Sequence, residues 1–169
     1  MEEKIYRYRF SRRTILLSCL YMAGFALLGL ALYFLYEGGY LSAWFTSSIV
    51  ALLLLLALSI PRKIRLNNER LRIDSLMDIT ELPLSEIASV RALPEREHRG
   101  FIPLFGGYGF FGFYGHYLDI IQFERIKVYA SEWRNLVEIT DIYESRLIVS
   151  VQDPEEFISA LEQLQQDNQ

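Results

Sequence analysis

Two uncharged apolar runs, residues 14–36 and 40–60, stand three residues apart, with basic side chains outside both and none between them. Each exceeds or matches the ~20 residues a helix needs to cross a ~30 Å hydrocarbon core, and a helix satisfies its backbone internally. The pattern predicts a membrane-spanning helical hairpin. Lys4, Arg7, Arg9, Arg12 and Arg13 precede it and Arg62, Lys63, Arg65, Arg70 and Arg72 follow it, whereas Glu37-Gly38-Gly39 at the turn has no basic residue. Because Lys and Arg in short flanks stay on the cytoplasmic side, both termini are expected in the cytoplasm, on a multi-pass chain of the inner membrane. Tyr33, Tyr36, Tyr40 and Trp44 are placed to mark the outer interface, and Tyr6, Tyr8 and Phe10 the inner one. A cleaved signal fits less well, since its apolar stretch is roughly 7–15 residues and here a second span follows at once.

The net charge of −4 hides a division. The strip 62–72 has five basic residues against Glu69 alone, while the chain beyond it is acidic. Arg62, Lys63, Arg65, Arg70 and Arg72 are therefore expected to meet anionic headgroups, each contributing about 1 kcal/mol near the surface, and the acidic remainder argues against a nucleic-acid partner. The single cysteine, Cys19, lies within the first run, so no intramolecular disulfide exists and none is needed in a reducing compartment. Ala43, Ser47 and Ala51 recur every fourth residue on the second span, a small-residue face suited to close helix packing, against Gly24 and Ala31 of the first span or against a second copy.

Three units follow from these patterns: a basic N-terminal segment (1–13), a transmembrane hairpin (14–36 and 40–60) and a domain of about 109 residues (61–169), enough for one core. Ile64 and Leu66 alternate with polar neighbours, Asn67-Asn68 supplies a turn, and Leu71 and Ile73 resume the alternation, which reads as a β-hairpin. Strand-like runs recur at 78–82, 88–93, 117–123, 126–130, 136–140 and 146–151, about eight strands in all. At the end the period changes. Asp153 suits an N-cap, Pro154 the first helical position and Glu155 and Glu156 the positive helix end, ahead of an apolar stripe at Phe157, Ile158, Leu161 and Leu164.

Seven or eight antiparallel strands closed by one helix is the arrangement of a pleckstrin-homology-like (PH-like) barrel or sandwich. The stretch Leu82-Pro83-Leu84-Ser85-Glu86-Ile87-Ala88-Ser89-Val90, the glycine-aromatic segment 105–115, Tyr129-Ala130, Leu136-Val137-Glu138-Ile139, Ile148-Val149-Ser150 and Asp153-Pro154-Glu155-Glu156-Phe157 resemble, in order, the bacterial PH-domain proteins that follow two membrane spans. The resemblance covers most of residues 62–165 and implies an α+β chain: a transmembrane hairpin, then a PH-like antiparallel barrel or sandwich capped by a helix, with no established enzymatic activity. It transfers no site residues.

Residues 101–115 hold five glycines and seven aromatics. Such glycine density points to tight turns or close backbone packing, with the rings buried or inserted into something. Gly107-x-Gly109-x-x-Gly112 has the spacing of a dinucleotide fingerprint, but an aromatic, β-branched stretch follows where a helix N-terminus is required, and no nucleotide is expected. Three roles stay open: an excursion covering an open end of the barrel, a membrane- or protein-facing surface, or a small-ligand pocket. On the second, Phe105, Tyr108, Phe110, Phe111, Phe113 and Tyr114 are the candidate contacts, touching the inner leaflet, the hairpin or a partner.

No reaction is legible. His98 and His116 are far apart with no cysteine near either, so neither a metal nor another cofactor is expected, and Glu95-Arg96-Glu97-His98-Arg99 reads as a solvated loop. Lys63, Arg65 and Arg70 flank the first hairpin roughly where eukaryotic PH domains hold phosphoinositides, but the two-asparagine turn is too short for a converging pocket. An enzyme would require the fold to unite His116, Asp119 and Glu138. The expected function is a membrane-anchored binding module that recruits a protein or membrane-surface partner; the alternative is a structural subunit of an oligomeric membrane assembly.

Overall fold

The computed structural model describes residues 4–7, 11–35, 39–58, 60–75 and 79–167, the side chains of Arg7, Arg62 and Asp167 apart. Tyr8, Phe10, Tyr36, Glu37, Gly38 and Asp78 lie outside the described residues, as does the Arg62 side chain. The apolar runs form α1 (Arg12–Leu35) and α2 (Tyr40–Leu58), of 24 and 19 residues. At 1.5 Å per residue they extend about 36 and 28 Å. Both are apolar on every side and largely exposed, and both are long enough to cross a membrane. Their contact does not use the predicted face. Ser42 donates to the Gly29 carbonyl at 2.9 Å and Thr46 lies beside Gly29, one residue out of phase with Ala43, Ser47 and Ala51, which are exposed; Gly24 has nothing within 4 Å of its missing Cβ. Glycine admits the close approach at position 29, and the 100° step between neighbours turns the alanine face away.

The segment before α1 forms a strand. β1 (Lys4–Arg7) pairs antiparallel with β2 (Pro61–Leu66), which follows α2, with Lys4 opposite Leu66 and Arg7 opposite Lys63. The hairpin therefore leaves and re-enters through neighbouring strands of one sheet, completed by β3 (Arg70–Ser75) and β4 (Ile79–Pro83). The Asn67 side chain accepts from the backbone N–H of Glu69 and Arg70, which forms the predicted turn between β2 and β3. Tyr6, expected at a membrane interface, instead meets Phe157 edge-to-face at 5.0 Å.

A second sheet holds β5 (Ile87–Leu93), β6 (Phe101–Tyr108), β7 (Phe113–Asp119), β8 (Glu124–Ala130), β9 (Leu136–Asp141) and β10 (Arg146–Ser150), in the order β5-β9-β10-β8-β7-β6. Of the predicted barrel or sandwich the structure is an open sandwich, mostly antiparallel, in which β8 and β10 run parallel and, among the described residues, no ladder joins β5 to β6. Strands β9 and β10 are buried on both faces, so period-2 alternation is lost in them. One face builds a core with the first sheet and α3 (Pro154–Asp167) around Leu66, Leu71, Tyr114, Val149 and Phe157. Leu93 at one edge and Phe101 at the other share the second core with Tyr117, Val128 and Ile148, so the six-stranded sheet curls around its own concave face. α3 begins as expected, the Asp153 carboxylate accepting from the Glu156 N–H.

Candidate functional site

The glycine-aromatic segment is a β-hairpin, β6 and β7 joined by residues 109–112, whose tip seats on α1. Gly106 and Gly115 face each other across the ladder with φ of +133° and +109°, and a Cβ on either would strike the opposite strand's carbonyl. Gly107 leaves space for the Tyr114 ring. Glycine density thus serves close crossing of two strands rather than a phosphate cradle. At the tip, Gly109 N–H donates to the Gly112 carbonyl, and Phe111 takes a left-handed φ of +50°.

Polar bonds fasten this hairpin, and the end of β8 beside it, to the apolar helices. Ser18 is fully buried; its hydroxyl donates to the Thr14 carbonyl at 2.8 Å and accepts from the Phe111 N–H at 2.8 Å. Thr14 donates to the Ser131 carbonyl at 2.9 Å. The Tyr114 hydroxyl donates to the Leu56 carbonyl at 2.8 Å, satisfying one of the acceptors that the last turn of α2 leaves unpaired. Burial pushes the Tyr114 phenol above its ordinary range, so it stays a neutral donor. Ser18 lies six residues beyond the start of α1, so the tip reaches about 9 Å along the helix axis.

The six predicted aromatic contacts consequently divide. Phe110, Phe113 and Tyr114 are buried by the chain itself, and Phe111 is half-buried. Phe105 (81% exposed) and Tyr108 (51%) point outward, beside exposed Ile102 and Leu104 on β6. Because β6 ends the sheet and, among the described residues, pairs with β7 alone, it presents apolar side chains along an edge strand. Sequence reasoning missed Thr14, Ser18 and Ser131. Hydroxyls four residues apart in an otherwise apolar run were the available signal.

The basic strip is not a cluster of free cations. Asp74 lies 2.6 Å from both Arg65 and Arg72, and Glu81 lies 2.8 Å from Arg70 and 3.3 Å from Arg72. Arg72–Asp74 lies along β3 and the other three pairs cross between strands; each is partly exposed and worth a fraction of a kcal/mol. Lys63 is exposed.

Two residues of the triad required for an enzyme do meet. Asp119 and Glu138 converge on Arg146, whose guanidinium lies 2.7 Å from Asp119 and 3.1 Å from both Glu138 oxygens; Gln122 accepts from it as well, and Arg91 reaches Glu138 at 2.9 Å. His116, one position out of phase with Tyr117, projects from the opposite face of β7. All three buried groups have their charge matched, which describes a closed structural network. Among the described residues, no group of three His, Cys, Asp or Glu is arranged to hold a metal ion.

The family profile described as the bacterial PH domain matches residues 62–165, well over half of the chain and the span from β2 into α3. No curated protein and no solved structure matches it.

Proposed function

The chain belongs to the bacterial PH-domain family, and from that premise we propose that it is a membrane-anchored, non-catalytic binding module that recruits a protein partner at the cytoplasmic face. Two apolar helices act as the anchor, with basic flanks holding both termini inside. The observation that carries the reading is the exposed β6 edge, with Ile102, Leu104, Phe105 and Tyr108, on a hairpin fastened to α1 through Ser18. An extended segment of the partner would add its backbone to β6 and place apolar side chains against these four. Fixing the domain to the bilayer raises the local concentration of both parties, so a weak contact suffices.

A photoreactive residue replacing Phe105 in native membranes, beside a control at the exposed Gln163 of α3, tests the reading. A discrete protein adduct at 105 and none at 163 is expected. Adducts at 105 with lipid alone would replace the protein partner with the membrane surface. A second reading, a subunit of an oligomeric assembly, draws on the outward Ala43, Ser47 and Ala51 face of α2. Light scattering on the detergent-solubilised chain separates it from the first by mass.

A further inference from the structure

A cleft of about 660 Å³ lies where α1 leaves the domain, between its first turn and the loop segments 95–98 and 132–134. Its lining combines opposite charges with an aromatic wall. Arg12 and Arg13 enter it from α1 and form no ion pair among the described residues. Arg134 and Glu95 lie on the far side at 3.9 Å, both mostly exposed, a separation at which neither is locked to the other, and Glu132 stands nearby. Trp133 forms the wall, with the His98 ring stacked on it at 5.1 Å and 4° between planes. The Nδ1 atom of His98 is buried with no hydrogen-bond partner, although ring nitrogens almost always find one when buried.

We propose that this cleft binds a phosphate joined to an amine in one zwitterionic group, the phosphoethanolamine type, with its phosphate on Arg12, Arg13 and Arg134 and its ammonium on Glu95 and Glu132. The lining decides the ligand class. Guanidinium groups grip phosphate oxygens bidentately. The two carboxylates would repel a purely anionic ligand and attract the ammonium of a zwitterionic one. Burial holds His98 below its ordinary pKa, which favours the neutral ring with one donor and one acceptor.

Position favours a lipid as the source of this group. Arg12 and Arg13 open the first apolar helix, which is headgroup level on the reading of α1 as a membrane span. Leu17 lines the cleft, and the exposed Leu16 and Leu20 continue along α1, where acyl chains would lie. The lipid assignment rests on the anchored-module reading; the phosphate-amine chemistry does not.

The experiment uses the full chain in a nonionic detergent with Trp44→Phe, which leaves Trp133 as the sole indole reporter. Short-chain phosphatidylethanolamine, short-chain phosphatidylglycerol and soluble phosphoethanolamine are titrated against its fluorescence. Saturable binding of phosphatidylethanolamine is expected, at least about tenfold tighter than phosphatidylglycerol, with a loss of about tenfold in Arg12→Gln/Arg13→Gln. Arg134→Gln, which leaves the membrane-flanking charges in place, is expected to weaken binding in the same direction. Soluble phosphoethanolamine binding as tightly as the lipid keeps the chemistry and assigns it to a free metabolite. If the chain proves soluble without detergent and still binds the soluble compound, the anchor reading fails while the cleft stands. Phosphatidylglycerol bound equally or better, affinities indifferent to the arginine variants, or no saturable change with any of the three overturns the proposal.

Discussion

At one end of the curled sheet Arg146 sits 6% exposed between Asp119 and Glu138, whereas at the other Arg12, Arg13 and Arg134 border a cleft where, among the described residues, no carboxylate comes closer than 3.9 Å to any of them. The two ends of β10 separate them, since Ser150 at its far end bonds to Ser131, the residue that receives Thr14 of α1. A guanidinium buried with both its charge and its hydrogen bonds matched has no capacity for a ligand. One that is exposed and unmatched contributes little to stability and keeps its full capacity for an anion. The same residue type thus reads as structure at one end and as recognition at the other, and the difference lies in partner geometry.

The largest expected effect breaks the closed end. Arg146→Met leaves Asp119 and Glu138 buried without their common cation and should destabilise the domain by about 3–5 kcal/mol, read as a lowered denaturant midpoint of the detergent-solubilised chain. Replacing all three with apolar residues of similar volume should recover most of that loss, because the desolvation penalty disappears with the charges. A small effect of Arg146→Met alone would mean that water reaches the network and that the contrast between the two ends is weaker than their geometry implies.

How much of this was legible in the sequence depends on the range of the interaction. The hairpin spans, the Asn67 turn, the Asp153 cap and the runs that became β5, β8, β9 and β10 announce themselves through neighbours within a few residues, where periodicity and capping act. β1 was read only as a basic flank, because four residues of strand acquire meaning only from β2, reached after the whole hairpin. β6 was hidden within the glycine-aromatic segment, since glycines that let two strands cross closely look the same in one dimension as glycines of a loop. The β8–β10 parallel pair and the Asp119–Arg146 bond depend on residues 20 or more positions apart, and no local pattern encodes them. The basic strip was legible as charge but not as neutralised charge, because Asp74 meets Arg65 only once β2 and β3 pair and Glu81 meets Arg70 and Arg72 only once β3 and β4 pair.

A second test acts on the junction between the two ends. Tyr114→Phe removes the donor to the Leu56 carbonyl, and Ser18→Ala removes the acceptor of the Phe111 N–H; each should cost about 1–3 kcal/mol, the penalty of a buried polar group left unpaired. Hydrogen exchange at Phe111 should quicken in Ser18→Ala while amides of β9 and β10 keep their protection. Uniform loss of protection would mean that the helical hairpin and the sheets unfold as one unit.

Acid sharpens the closed end further. Burial alone would raise the Asp119 carboxyl, but hydrogen bonds from Arg146 and from the Ile121 and Gln122 amides outweigh it, so the folded group sits below its ordinary value. A depressed folded pKa contributes stability that is complete above the unfolded value, near 3.9, and is lost as pH falls through the folded one. Denaturant midpoints should therefore hold steady from neutral pH to about 5 and decline below 4. Asp119→Asn should start lower and decline less.

The smallest stability effect belongs to the open end. Arg12→Gln/Arg13→Gln should shift the denaturant midpoint by no more than about 0.5 kcal/mol, because both side chains are exposed and neither forms an ion pair among the described residues. That near-silence is the discriminating result when set beside the tenfold loss of phosphoethanolamine affinity expected of the same variant. A residue that recognises a ligand separates the two measurements, while one that holds the fold moves them together. If the double variant destabilised the chain as strongly as Arg146→Met, the arginines of α1 would be structural after all, and the two ends of the sheet would differ in exposure but not in role.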